Sequence, residues 1–144
     1  MPDALQLLRD DHQKVKELFK EFENADDATT RKRIADTVIR EIEVHTMIEE
    51  EIFYPVVRRQ QGDTSEMMNE ATEEHHVADL LIAELRDMPA SNKQFAAKFT
   101  VLAENVKHHI QEEESEMLPK AAELGGDRLG PLGEQMERRK MELM

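Results

Sequence analysis

The chain has 144 residues, of which 39% are apolar and 35% charged, and its 32 acidic and 19 basic side chains leave a formal charge of −13. That length suits one domain with a real core, and the apolar share excludes wholesale disorder. The charge argues against a nucleic-acid backbone or an anionic membrane as partner, and the lack of cysteine excludes disulfides, iron–sulfur clusters and thiolate zinc sites.

With only five glycines and five prolines, long helices are expected in preference to strands. Asp3, with Gln6 three residues later, signals the start of a first helix that fades at Asn24–Asp27. A second helix runs from about Ala28 towards Arg59, kinked or ended by Pro55. Gly62 breaks the chain; Asp63 and Glu66 then cap a third helix, which Met88-Pro89 ends. Ser91 and Gln94 cap a fourth, stopped by Gly125-Gly126. Residues 1–126 therefore read as an all-α, antiparallel up-down-up-down four-helix bundle. Residues 127–144 read as a C-terminal tail, with a short charged helix over Pro131–Met144 that packs Met136 and Met141 on the bundle and has no function of its own. No run approaches the about 20 apolar residues of a membrane span and no signal pattern opens the chain, so a soluble cytoplasmic protein is expected.

Each helix carries an apolar stripe with 3- and 4-residue steps. The stripes are Leu5, Leu8, Val15, Phe19, Phe22; Ile34, Val38, Ile42, Ile52, Val56; Met68, Ala71, Ala78, Ile82, Leu85; and Phe95, Phe99, Leu102, Val106, Met117. Every stripe has a gap in its middle, and polar residues fill each gap in phase: His12 in the first, His45 and Glu49 in the second, His75 in the third, His109 and Glu113 in the fourth. Buried glutamate is costly unless it is paired or bound to a cation, and no lysine or arginine holds a neighbouring seam position. Neutral imidazoles and carboxylates suit a metal.

His45-x-x-x-Glu49 and His109-x-x-x-Glu113 are one-turn pairs on a single helical face. The chain also repeats itself: Asp11-His12 is followed by HTMIEEEIFYP, and Glu74-His75 by HIQEEESEMLP. Two related hairpins, each giving two histidines and one glutamate around a pseudo-two-fold axis, suit two metals better than one. His76 and His108 lie about 100° from the seam and are expected to be exposed or peripheral. The other acids of Glu49–Glu51 and Glu112–Glu114 are expected to form a solvated face. Tyr54 on a straight helix points away from His45, and its phenolate reaches a metal there only if Pro55 bends the helix end. Only one Glu-x-x-His of ferritin-like spacing occurs, Glu73 to His76, and no P-loop, dinucleotide, HExxH or nucleophile signature is present.

Over roughly residues 3–124 the pattern H…HxxxE…H…HxxxE resembles the hemerythrin-like (HHE cation-binding) domain family. The resemblance implies two non-haem iron ions with an oxo or hydroxo bridge, held by His12, His45, Glu49, His75, His109 and Glu113, with both glutamates bridging. The donor set alone also admits zinc or manganese. Where oxygen-carrying hemerythrins have a second histidine on the third helix, this chain has Asp79. About ten of about twelve iron coordination positions are then filled, leaving roughly two for Asp79, another side chain or solvent. More open positions favour reaction with hydrogen peroxide in a catalase-like cycle. The alternative is reversible binding or sensing of dioxygen, nitric oxide or iron without turnover. No nucleic-acid or membrane partner is expected.

Overall fold

The computed structural model describes residues 2–144, in which five helices follow one another and no strand occurs among the described residues. Helix α1 (Ala4–Asn24) opens at Asp3, whose carboxylate accepts from the Gln6 amide at 2.9 Å. Helix α2 starts after Asp27, which caps the Thr30 amide at 2.8 Å, and runs Ala28–Ile48, then through a wide π turn at Glu49–Phe53, and on through Tyr54–Arg58. Helix α3 is Ser65–Arg86, and α4 runs Phe95–Glu112, a second π turn at Glu113–Met117, and Leu118–Ala122. Helix α5 is Gly126–Leu143. α1 packs on α2 and α3 on α4, completing the up-down-up-down bundle, while α5 lies against α1 and α2. Among the described residues no helix is long and apolar enough to cross a membrane.

Several local expectations change. Pro55 does not end α2: it falls in the first turn after the π turn, where the regular ladder is already broken and its missing N–H removes little. Ser91 does not cap α4; the Asn92 carboxamide instead accepts from the Gln94 amide at 2.8 Å. Asp63 accepts from the Ser65 amide at 3.0 Å, although Thr64 takes the capping position of α3. Ile52 and Val56, read as seam residues, are only half-buried, and Phe53, Tyr54 and Val57 take their place in the core. The π turn explains this: it inserts one residue, so the seam beyond Glu49 advances by one position.

The tail forms an 18-residue helix. Gly125, at φ 80°, turns the chain into it. Gly133 lets it approach α1, since a Cβ there lies 2.6 Å from the Ala4 backbone nitrogen. Leu129, Leu132 and Met136 are buried, but Met141 is 73% exposed and does not pack as expected.

The core has two parts. Toward one end Phe19, Phe22, Phe95 and Phe99 assemble with aliphatic partners from all four bundle helices, and the Phe22 and Phe99 rings stack at 3.9 Å. Toward the other end Leu8, Ile48, Phe53, Met68, Met117, Leu118 and Met136 form a second cluster. His12, Glu49, His75, His109 and Glu113 are buried polar residues belonging to neither cluster.

Candidate metal centre

The six polar residues read from the seam gaps come together in the bundle. His12 and His45 face each other with ring centroids 5.0 Å apart, and His75 and His109 do so at 4.9 Å. Glu49 Oε1 lies 3.3 Å from His45 Nε2 and 3.1 Å from His75 Nε2. Glu113 lies 3.2 Å from His12 Nε2 through Oε1 and 3.1 Å from His109 Nε2 through Oε2. Each glutamate thus stands between one histidine of each pair. All four Nε2 atoms point inward because a carboxylate holds each Nδ1 from outside: Glu114 for His12 (2.7 Å), Asp11 for His45 (3.0 Å), Glu50 for His75 (3.0 Å) and Glu74 for His109 (2.9 Å). Such outer carboxylates fix ring orientation and tautomer in metal sites.

These outer groups respect the sequence repeat. The acid preceding one histidine serves the other histidine of its hairpin: Asp11, next to His12, holds His45, and Glu74, next to His75, holds His109. The acid after each central glutamate crosses to the opposite hairpin, Glu50 to His75 and Glu114 to His12. Glu50 and Glu114 are therefore not merely a solvated face, as their place in acidic runs suggests. The DH, EEH and HxxxEE spacings contain this signal, but the partner of each acid lies on another helix.

Among the described residues five buried polar side-chain atoms make no hydrogen bond; Gln60 Oε1 lies elsewhere, and the other four, His12 Nε2, His45 Nε2, Glu49 Oε2 and Glu113 Oε1, lie side by side. Donor atoms of these same four residues lie within 4.8 Å of one another, and a second group joins Glu49, His75 and His109. Unsatisfied buried polar atoms cost free energy comparable to a lost hydrogen bond or more. An imidazole lone pair and a carboxylate oxygen with nothing to accept from are what a cation satisfies. The residues present fit a metal.

Tyr54 is the member that a straight helix hides. The π turn rotates its phenol into the centre, where the hydroxyl donates to Glu113 Oε2 at 2.9 Å and lies 3.1 Å from His75 Nε2 and 3.3 Å from His109 Nε2. The ring stacks on His75 at 5.3 Å. Leu118 holds the corresponding place before Pro119, so Tyr54 breaks the pseudo-symmetry on the His75/His109 side. Asp79 is exposed and takes no part in the cluster. His76 and His108 are exposed, and His108 pairs with Glu112 at 2.8 Å.

With protons alone to balance the charges, burial opposes the imidazolium of His109, but the hydrogen bonds it donates to Glu113 and Glu74 outweigh it and push the pKa up to about 10. Burial likewise opposes the charge on His45, yet Glu49 and Asp11 hold its pKa well above the usual value. Burial acts to raise Glu49, and the neighbouring His45 overrides it, leaving Glu49 well below the usual carboxylate range. Burial first, and then Glu49 and Glu113, raise the Tyr54 phenol. A bound cation reverses this sense, favouring neutral imidazoles and phenolate.

A cavity of about 30 Å³ adjoins the histidines; Val15, Ile42, Ala78, Val106 and Ile110 form its apolar wall, with Asp11, Thr46, Glu74 and Asn105 also at its edge. This is room for a molecule of about the size of one water.

The family described as hemerythrin HHE cation-binding domain matches residues 3–121. The chain belongs to that family. This HHE domain is 30% identical over 111 residues to a DNA nickase of Nostoc sp., a match covering 76% of this chain and 30% of that protein. It is 26% identical over 110 residues to an uncharacterized hemerythrin-like protein of Schizosaccharomyces pombe, covering 76% of this chain and 54% of that one. The HHE domain thus spans about a third to a half of the curated relatives it matches. Among solved structures it superposes on a hemerythrin HHE cation-binding domain-containing protein from Mycobacterium kansasii with a TM-score of 0.86 and 23% identity, covering 99% of this chain and 88% of that one. That likeness bears out the helical-bundle fold.

Proposed function

We propose that His12, His45, Glu49, His75, His109 and Glu113 hold two non-haem iron ions, with Tyr54 as a further donor beside His75 and His109. The centre then reacts with hydrogen peroxide in a catalase-like manner. The observation that carries the metal reading is the quartet of unpartnered buried atoms on His12, His45, Glu49 and Glu113. Iron is the metal that the resemblance to hemerythrin-like domains implies. When bound, it supplies the one-electron changes by which peroxide is disproportionated to dioxygen and water.

The chain's own residues supply the rest. The four outer carboxylates keep the imidazole Nε2 atoms aimed inward, and Glu49 and Glu113 offset cationic charge in a buried site. Val15, Ile42, Ala78, Val106 and Ile110 give the small cavity beside the histidines an apolar wall, with room for a small molecule only.

The same wall supports a second reading, reversible binding of dioxygen or nitric oxide. An apolar cavity of about 30 Å³ offers a polar peroxide few hydrogen bonds and suits a diatomic gas. Metal analysis with an optical spectrum of the purified protein tests the centre: two irons per chain with oxo-bridge charge-transfer bands are expected, and a metal-free protein that rejects iron overturns it. Oxygen evolution from peroxide then supports turnover. A stable gas adduct of the reduced protein without peroxide consumption supports the second reading.

A further inference from the structure

The four carboxylates behind the histidines are not equivalent. The side chains of Glu50, Glu114 and Glu74 are 47%, 32% and 20% exposed, so water shares their charge, whereas that of Asp11 is 8% exposed. A carboxylate withdrawn from water and partnered only by an imidazole is poorly compensated. Asp11 has a second partner. While Oδ2 engages His45 Nδ1 at 3.0 Å, Oδ1 accepts from Lys140 Nζ at 2.7 Å.

Lys140 reaches this point from α5, the helix for which the sequence suggested packing alone. Gly133 and Met136 seat that helix against α1 and the second apolar cluster, which brings the lysine over Asp11. Among the described residues the symmetry-related Glu74 has no such cation, only the exposed His108 at 3.9 Å.

Resting on the di-metal reading, we propose that Lys140 is a positioning residue for the metal centre. It pins one oxygen of Asp11, so that the other holds the His45 ring in register with Glu49. The C-terminal helix thereby controls one of the two metal positions, the one served by His12 and His45, and leaves the His75/His109 position alone.

Arg139 provides a matched control. It lies one residue earlier on the same helix and makes a forked ion pair with Glu51 of α2 at 2.8 and 3.2 Å, but that carboxylate engages none of the site histidines. The test is anaerobic titration of the metal-free full chain with Co(II), followed by its d–d absorption and by the exchangeable, paramagnetically shifted imidazole N–H resonances.

Wild type is expected to take two Co(II). Lys140→Met is expected to bind one of the two about 10- to 100-fold more weakly, with faster exchange of a single imidazole N–H, that of His45. Lys140→Arg is expected to restore both readouts. Arg139→Met is expected to lower the melting temperature and move neither. Wild-type behaviour of Lys140→Met, or an equal loss in Arg139→Met, overturns the proposal while the metal centre stands. A wild-type chain that takes no metal overturns both. Should Lys140→Met fail to fold, Asp11→Asn reads the same link from its other end. It is expected to weaken the same position, and Lys140→Gln added to it to cost nothing further, because the lysine acts only through Asp11; an unchanged Asp11→Asn, or a second loss on adding Lys140→Gln, overturns the proposal.

Discussion

The Tyr54 hydroxyl donates to Glu113 at 2.9 Å, linking α2 to α4 through the middle of the bundle. Tyr54→Phe keeps the ring that stacks on His75 and removes only this oxygen. Iron-loaded Tyr54→Phe is expected to retain two metals but to lose a visible phenolate charge-transfer band. Without metal, the variant leaves Glu113 short of a donor and is expected to unfold with about 1–3 kcal/mol less stability. An unchanged spectrum rules the phenol out as a ligand.

The π turn that delivers Tyr54 contains one residue more than a regular turn. Deleting Glu51 converts it to ordinary α-helix while leaving Phe53, Tyr54 and Val57 on the buried face. That deletion is expected to be tolerated within a few degrees of melting temperature, apart from the lost Arg139 pair. Deleting exposed Thr37 from the regular part of α2 turns the preceding and following seams about 100° apart and is expected to abolish folding. Equal damage from both deletions contradicts this account.

This turn also marks where the sequence stops being legible. Helix order, the Asp3 and Asp27 region, Gly62 and Gly125 follow from local chemistry, because caps and breakers act within a few residues. His12, His45, Glu49, His75, His109 and Glu113 were readable because polar residues in a helical apolar stripe are conspicuous at any distance. Tyr54 was readable only on condition that the helix end bends, and the displacement of Ile52 and Val56 by Phe53 and Val57 was not, because a 3.6-residue period carried past Glu49 misplaces everything beyond the extra residue. The partners of Glu50 and Glu114 were hidden for another reason: each pairing crosses between hairpins, and nothing near either residue in the chain encodes it.

Glu50 and Glu114 hold equivalent places in the two hairpins, at 3.0 Å from His75 and 2.7 Å from His12. Glu50→Gln and Glu114→Gln are each expected to weaken metal retention by about tenfold or more, measured by competition with a chelator. Retention at wild-type level in Glu50→Gln shows that its exposure leaves it too well solvated to anchor the ring.

Metal-free protein is expected to lose stability as the pH rises. His109, raised from 6.5 to about 10, contributes stability that is fully present below pH 6.5 and is lost as the pH climbs through about 10. Glu49, lowered well below 4.5, contributes stability present above pH 4.5 and lost under stronger acid. Metal binding runs the other way, because protons compete for the imidazole nitrogens. The gap in melting temperature between loaded and chelated protein should therefore widen between about pH 6 and about pH 9. A constant gap argues that the histidines are not the ligands.

Gly133→Ala places a methyl 2.6 Å from the Ala4 nitrogen, against backbone that cannot swing aside. Detachment of α5 is expected, read as faster proteolysis after Arg138 or Arg139 with the bundle core still protected. Unchanged proteolysis shows that α5 can shift along α1 without losing its seat.

The polar layer that divides the phenylalanine cluster from the Leu8/Met136 cluster has a mechanical consequence. Among the described residues no single apolar cluster runs the length of the bundle, so side-chain packing between the two ends passes through the charged groups, alongside the helices that span both. With those groups clamped on shared ions, the ends melt as one. With the groups balanced by protons alone, each end is free to loosen on its own, and the cooperativity of the fold itself becomes a gauge of what occupies its centre.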